Sequence, residues 1–173
     1  MRYVAGLIGF GRRLKLCALG FGLACSNAST AETSVTGHAG AQIIEPLMVM
    51  AWEELDFGTI APNSSFPGIV TVHANETRDC STEVTCVGSA FSAARFMVTG
   101  EADHIYDISV PTDLMIENSL GDTMLIDNLY SDRSQGLLTG GVDEFWVGGD
   151  LHIGANQAIG SYTGVYVVSV QYQ

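Results

Sequence analysis

The chain has 173 residues, 47% of them hydrophobic and 15% charged, with seven basic against nineteen acidic side chains. That size allows one ordinary domain, or one domain plus a processed segment. Arg2, Arg12, Arg13 and Lys15 open the chain, and beyond them three arginines (Arg78, Arg95, Arg133) face nineteen acids, a net of −16. Such a surface repels nucleic-acid phosphate and anionic membranes, and aromatic and β-branched residues reaching the C-terminus argue against a disordered acidic tail.

The first element is an address. A basic stretch over residues 1–15, the short apolar run Leu16 to Ala24 and the small residues Ser26 to Ala31 form the pattern of a secretory signal. It predicts a signal peptide over residues 1–28, with cleavage at 31 as the alternative. An extended arm over residues 29–40 follows, in which Val35 and Ala39 share one parity with Ala41 and Ile43 just beyond it. A single domain over residues 41–173 completes the chain. Whether the arm pairs within its own subunit or with a neighbour stays open.

From Ala41 onward no helical period persists, and alternation of period two recurs between Gly, Pro, Asn and Asp breaks. The first strand is expected over Ala41 to Trp52, interrupted or bulged at Pro46. Ile69 to His73, Arg95 to Thr99 and Ile105 to Val110 follow, with weaker signals at Leu114 to Ile116 and Met124 to Asp127. Phe145 to Ile153 is longer, placing Phe145, Val147, Leu151 and Ile153 opposite Asp150 and His152. One or two helical turns are expected around Leu137 to Glu144. About eight short strands of this kind predict an all-β fold, an antiparallel immunoglobulin-like β-sandwich, with a small β-barrel as the alternative. Cys17 and Cys25 leave with the signal, and the remaining pair, Cys80 and Cys86, reads as a disulfide in an oxidising compartment.

The last segment, GSYTGVYVVSVQYQ, alternates most clearly. Tyr162, Gly164, Tyr166, Val168, Val170 and Tyr172 share one face, while only Val165 and Val167 break the polar side. Nothing follows it in sequence to pair with its outer side. A terminal strand with such a face predicts an uncovered edge, and strand addition by another chain is one way to cover it.

No residue pattern suggests catalysis. His38, His73, His104 and His152 are scattered without ligand-like spacing, and the acidic groups Glu53, Glu54, Asp56 and Glu101, Asp103, Asp107 follow no calcium-loop pattern. No G-x-S-x-G, H-E-x-x-H or phosphate loop occurs. The expectation is therefore a protein that is not an enzyme, with no cofactor and no metal.

Four segments, PLMVMAWEELDFGTIAP (Pro46 to Pro62), GIVTV (Gly68 to Val72), SAARFMVTGE (Ser92 to Glu101) and FWVGGDLHIGANQAIGSYTGVYVVSVQY (Phe145 to Tyr172), resemble the small exported bacterial proteins of domain-of-unknown-function family 4402. DCSTEVTC stands where that family usually has a glycine-rich turn. Members are similar in layout to spore-coat-U-type and other chaperone–usher pilins. The resemblance implies a pilin-like, Gram-negative fimbrial or adhesive surface subunit, exported through the inner membrane and passing through the periplasm to the cell surface or medium. It also implies its partners: neighbouring copies or related subunits, a periplasmic PapD-like chaperone and an outer-membrane usher. By this analogy Leu55, Phe57 and Ile60 anchor a strand end, with a turn or bulge at Gly58. Tyr162, Tyr166, Val168, Val170 and Tyr172 line a strand-pairing groove, and Val35, Ala39, Ala41 and Ile43 belong to the donor arm. The alternative is a monomeric secreted or periplasmic module that binds carbohydrate or another surface ligand through Trp52, Trp146 or Tyr130.

Overall fold

A computed structural model of the protein describes residues 33–173. The expected signal peptide and the first residues of the arm lie outside the described residues. All regular elements among the described residues are strands, twelve in chain order. They are β1 (Met48–Glu53), β2 (Thr59–Ala61), β3 (Gly68–His73), β4 (Thr77–Cys80), β5 (Thr85–Val87) and β6 (Ala94–Thr99). Then come β7 (Ile105–Ser109), β8 (Leu114–Glu117), β9 (Thr123–Ser131), β10 (Gln135–Leu137), β11 (Val142–Ile153) and β12 (Ser169–Tyr172).

Period-two patterning translates directly into burial. Ala94, Phe96 and Val98 of β6 face Phe145 and Val147 of β11, all buried, with the Phe96 and Phe145 rings stacked 5.2 Å apart. Val70 and Val72 of β3 and Leu151 and Ile153 of β11 extend the same cluster, and Tyr106 of β7 and Leu138 close it from the other side. All paired strands run antiparallel.

β11 organises the fold. One of its edges carries β6 along residues 142–147 and then β3 along 149–153, while β9 runs along the opposite edge. The register shifts between Gly148 and Asp150, the kind of irregularity that lets a long strand change direction. A Cβ at Gly148 would collide with the backbone of β3 and the residues just after it, so only glycine permits this approach. The resulting seven-stranded sheet curls like half a barrel, with β1 and β4 paired on one side only among the described residues and β8 bridged on its outer side at Glu117 alone. A second sheet, β10-β7-β12, faces it across the core, and β2 and β5 form a small ribbon. The architecture thus combines features of the expected sandwich and the expected barrel. Cys80 at the end of β4 is bonded to Cys86 in β5, tying that ribbon to the main sheet.

Three local expectations are corrected. β1 starts at Met48, not Ala41; Pro46 lacks an N–H for the ladder, and residues 41–47 form no strand. No helical turn occupies Leu137 to Glu144. Gly140 and Gly141, at φ 66° and 86°, make a tight turn from β10 into β11. The last segment is a strand only at Ser169–Tyr172, and Tyr162 to Val168 lies outside any ladder apart from one bridge.

Candidate strand-acceptor groove

Two chain segments stand apart above the core and leave a groove of about 760 Å³ between them. One wall is residues 54–62. Asp56 and Ser92 exchange backbone hydrogen bonds at 2.9 Å, and Arg78 donates to Phe57 O (3.1 Å) and Gly88 O (2.7 Å) while covering the Phe91 ring. Gly58 turns the chain at φ 78°, where a Cβ would strike Ala90 O. Leu55, Phe57 and Ile60, which the family resemblance assigned to a strand end, are placed with Phe57 buried and the other two packed against the core.

The other wall is residues 157–166. Thr163 and Glu117 exchange backbone bonds at 2.9 and 3.0 Å, pinning the wall to β8. Tyr162 Oη donates to Ala158 O (2.7 Å) and accepts from Gln157 Nε2 (2.9 Å). The floor is made of Leu114, Ile116, Met124, Ile126, Leu151 and Ile153 from β8, β9 and β11. Ile116, Ile126, Leu151 and Ile153 belong to the buried core, so the groove opens directly onto it.

Backbone accounting locates the gap. From Gly164 to Val168 no backbone–backbone hydrogen bond is made among the described residues. Yet side chains along this stretch alternate: Tyr166 and Val168 pack on the core, while Val165 and Val167 are 89% and 77% exposed. The stretch is therefore a strand in side-chain terms with no neighbour to pair it among the described residues. Beyond it β12 pairs only with β7, just as β1 pairs only with β6. The two open edges meet at one end, where Tyr172 Oη donates to Glu45 O (3.0 Å) and accepts from Glu101 N (2.6 Å). β1 is open in its own right: all six of its residues are exposed, including Val49 on the parity that faces inward in the paired β6.

Tyr166 stands over this opening. Its ring makes an edge contact with Phe96, centroids 6.4 Å apart. Burial first, then the nearby Glu54 charge, pushes its hydroxyl up to about 12.

All five residues assigned to the strand-pairing face, Tyr162, Tyr166, Val168, Val170 and Tyr172, lie against the core. Val35, Ala39, Ala41 and Ile43 of the arm are exposed and outside any strand. Cys80 and Cys86 form the expected disulfide. Of the histidines, His152 bonds to Asp127 (2.8 Å), His73 to Asp79 (2.9 Å) and His104 to Ala102 O (3.1 Å). Among the described residues no three His, Cys, Asp or Glu side chains converge on a metal-sized site. Sequence reasoning missed the floor from β8 and β9 and the wall at Gln157 to Gly160. The apolar character of Leu114, Ile116, Met124 and Ile126 was visible, but not that a groove would expose it.

The chain matches the family described as Domain of unknown function (DUF4402) over residues 47–172 and belongs to it. No curated protein and no solved structure matches it.

Proposed function

We propose that this protein is a structural subunit of a bacterial cell-surface fimbria, pilus or adhesive coat, exported to the surface and assembled by β-strand donation. One observation carries the reading: an unpaired, strand-like stretch, Gly164 to Val168, flanks a groove floored by core residues. A strand laid there satisfies idle N–H and C=O groups and covers apolar surface in a single step. The donor is the N-terminal arm of a neighbouring copy. Residues 33–44, TSVTGHAGAQII, lie between Glu32 and Glu45 and contain no acid, lysine or arginine, so no fixed charge in that span opposes entry into an apolar groove. A periplasmic chaperone would occupy the same groove during transit, with an outer-membrane usher as the point of exchange.

The test is assembly by the purified chain with and without residues 29–40. The deletion should abolish polymers while leaving the domain able to capture a synthetic peptide of residues 29–47. At a peptide concentration of a hundred times its Kd, capture should add roughly 2.7 kcal/mol to stability. A parent chain that stays monomeric and ignores the peptide overturns the reading, and undiminished polymerisation of the deleted chain overturns donation by this arm.

A further inference from the structure

Across the outer face of the main sheet, away from the groove, planar side chains form a ledge that strand register alone assembles. Trp146 of β11 lies directly opposite Arg95 of β6, and the β1 bulge at Ala51 and Glu53 sets Trp52 beside them. The Arg95 guanidinium sits 5.6 Å from the Trp146 ring and 5.9 Å from the Trp52 ring, within cation–π range of both. Glu144 holds it there through Nη2 (2.6 Å) and Nε (3.2 Å). Next to Trp146 the surface sinks into an open depression of about 550 Å³, whose walls include Tyr130, Asp132, His73, Asn75 and Glu76.

The depression is fixed by its own bonds. Tyr130 Oη lies 3.3 Å from His73 Nδ1, and Asp132 accepts from the Trp146 backbone N–H (3.0 Å). Asp132 N in turn donates to Trp146 O (2.9 Å). At the rim Asn75 Oδ1 accepts from Thr77 Oγ1 (2.7 Å), leaving its amide N–H groups for a ligand, while among the described residues neither the Glu76 carboxylate nor the Trp146 indole N–H has a hydrogen-bond partner. Trp52 is 61% exposed.

We propose that this ledge and depression bind a neutral oligosaccharide. Pyranose rings stack their apolar faces on Trp52 and Trp146, and their hydroxyls bond to Asn75, Glu76 and Asp132. Rigid aromatic walls with a few directed polar groups are the usual make-up of a site for a small amphipathic ligand. Charge argues against other classes. Both local guanidinium groups are already held by carboxylates, Arg95 by Glu144 and Arg133 by Asp132 (2.8 Å), so no cation waits for a phosphate or sulfate. Backbone argues against an extended peptide. β3, β6, β9 and β11, which carry Trp146, Tyr130 and the walls of the depression, are each paired on both edges, so a ligand lying across them is held by side chains alone, and the open edge of β1 lies at the Trp52 end only. The proposal does not depend on strand donation.

Trp52 and Trp146 are the only two tryptophans in the chain, so their emission reports this site alone. The purified chain is titrated with cellohexaose, xylohexaose and mannohexaose, with a sulfated oligosaccharide as the anionic control. At least one neutral hexamer should shift tryptophan emission saturably, with a Kd on the order of 0.1–1 mM. Trp52→Ala, which removes a side chain outside the core, should weaken binding about tenfold or more, read by calorimetry. Trp146→Phe, which keeps a ring in place, should weaken it by only about threefold. A folded parent chain with no response to any neutral hexamer overturns the proposal. So does Trp52→Ala with parental affinity, or a response to the sulfated control alone. Binding that vanishes when the arm peptide fills the groove overturns the placement of the site on this face.

Discussion

β6 and the C-terminal stretch carry the same alternating pattern and reach opposite ends of it. In β6 the inward residues Ala94, Phe96 and Val98 are buried, and the strand is laddered on both edges, to β1 and to β11. In Tyr162 to Tyr172 the inward residues are only half-buried, and the middle of the stretch has no ladder among the described residues. Alternation tells which side chains turn toward a core; it is silent on whether a neighbour closes the edge. That second property is decided by long-range pairing, and among the described residues no segment supplies the missing partner.

Truncating one residue in each region gives the largest expected difference. Phe145→Ala removes a fully buried ring stacked on Phe96 and should cost about 3–5 kcal/mol in urea unfolding. Val167→Ala, in the unladdered stretch, should stay within about 0.5 kcal/mol of the parent. A Val167→Ala loss of comparable size to the Phe145 loss would mean that the stretch is packed by something within the subunit, and the contrast between the regions would fall.

The disulfide sharpens the contrast at a smaller scale. Cys80 and Cys86 are six positions apart, and replacing both with serine should cost about 2 kcal/mol by loop-closure entropy. Because the bond ties the β2–β5 ribbon to β4, the loss should be local. Amide exchange should quicken at Thr59 to Ala61, one wall of the groove, and at Thr85 to Val87, while β6 and β11 keep their protection. Uniform quickening across all four strands would show that wall and core unfold as one unit.

How much of this was legible beforehand depends on sequence distance. The longer alternating strands, the disulfide and the inward set Tyr162, Tyr166, Val168, Val170 and Tyr172 were all readable, because each is written in neighbouring residues. β2, β4, β5 and β10, at three or four residues each, are too short for a period to show. The helical turn expected near Leu137 to Glu144 failed because the Gly140–Gly141 pair favours a tight left-handed turn between strands. Trp52, Trp146 and Tyr130 stood out singly as stacking side chains, but neither the groove floor nor the convergence of Trp52 and Trp146 on Arg95 could be read from local pattern. Both depend on which strand lies beside which, and in what register, a matter settled by the long-range pairings of β11.

The gentlest probe of the open region is alkaline pH. Tyr166 ionises near 12 in the folded chain against an ordinary value of 10.0, held up first by burial and then by the charge of Glu54. The unfolded chain therefore loses this proton first as pH rises. Its contribution to stability is fully present below pH 10 and declines as pH climbs toward 12. Tyr106 is shifted in the same direction, by burial and by its hydrogen bond to Asp143 (3.0 Å), so the parent chain should lose stability from both groups. Tyr166→Phe should make the decline shallower without removing it, read as unfolding free energy against pH. A donor strand in the groove buries Tyr166 further and should delay its tyrosinate absorbance to still higher pH, while Tyr106, already enclosed by the closed part of the core, should titrate as before. If the arm peptide binds and the Tyr166 titration does not move, the occupied surface is not the opening beneath that ring.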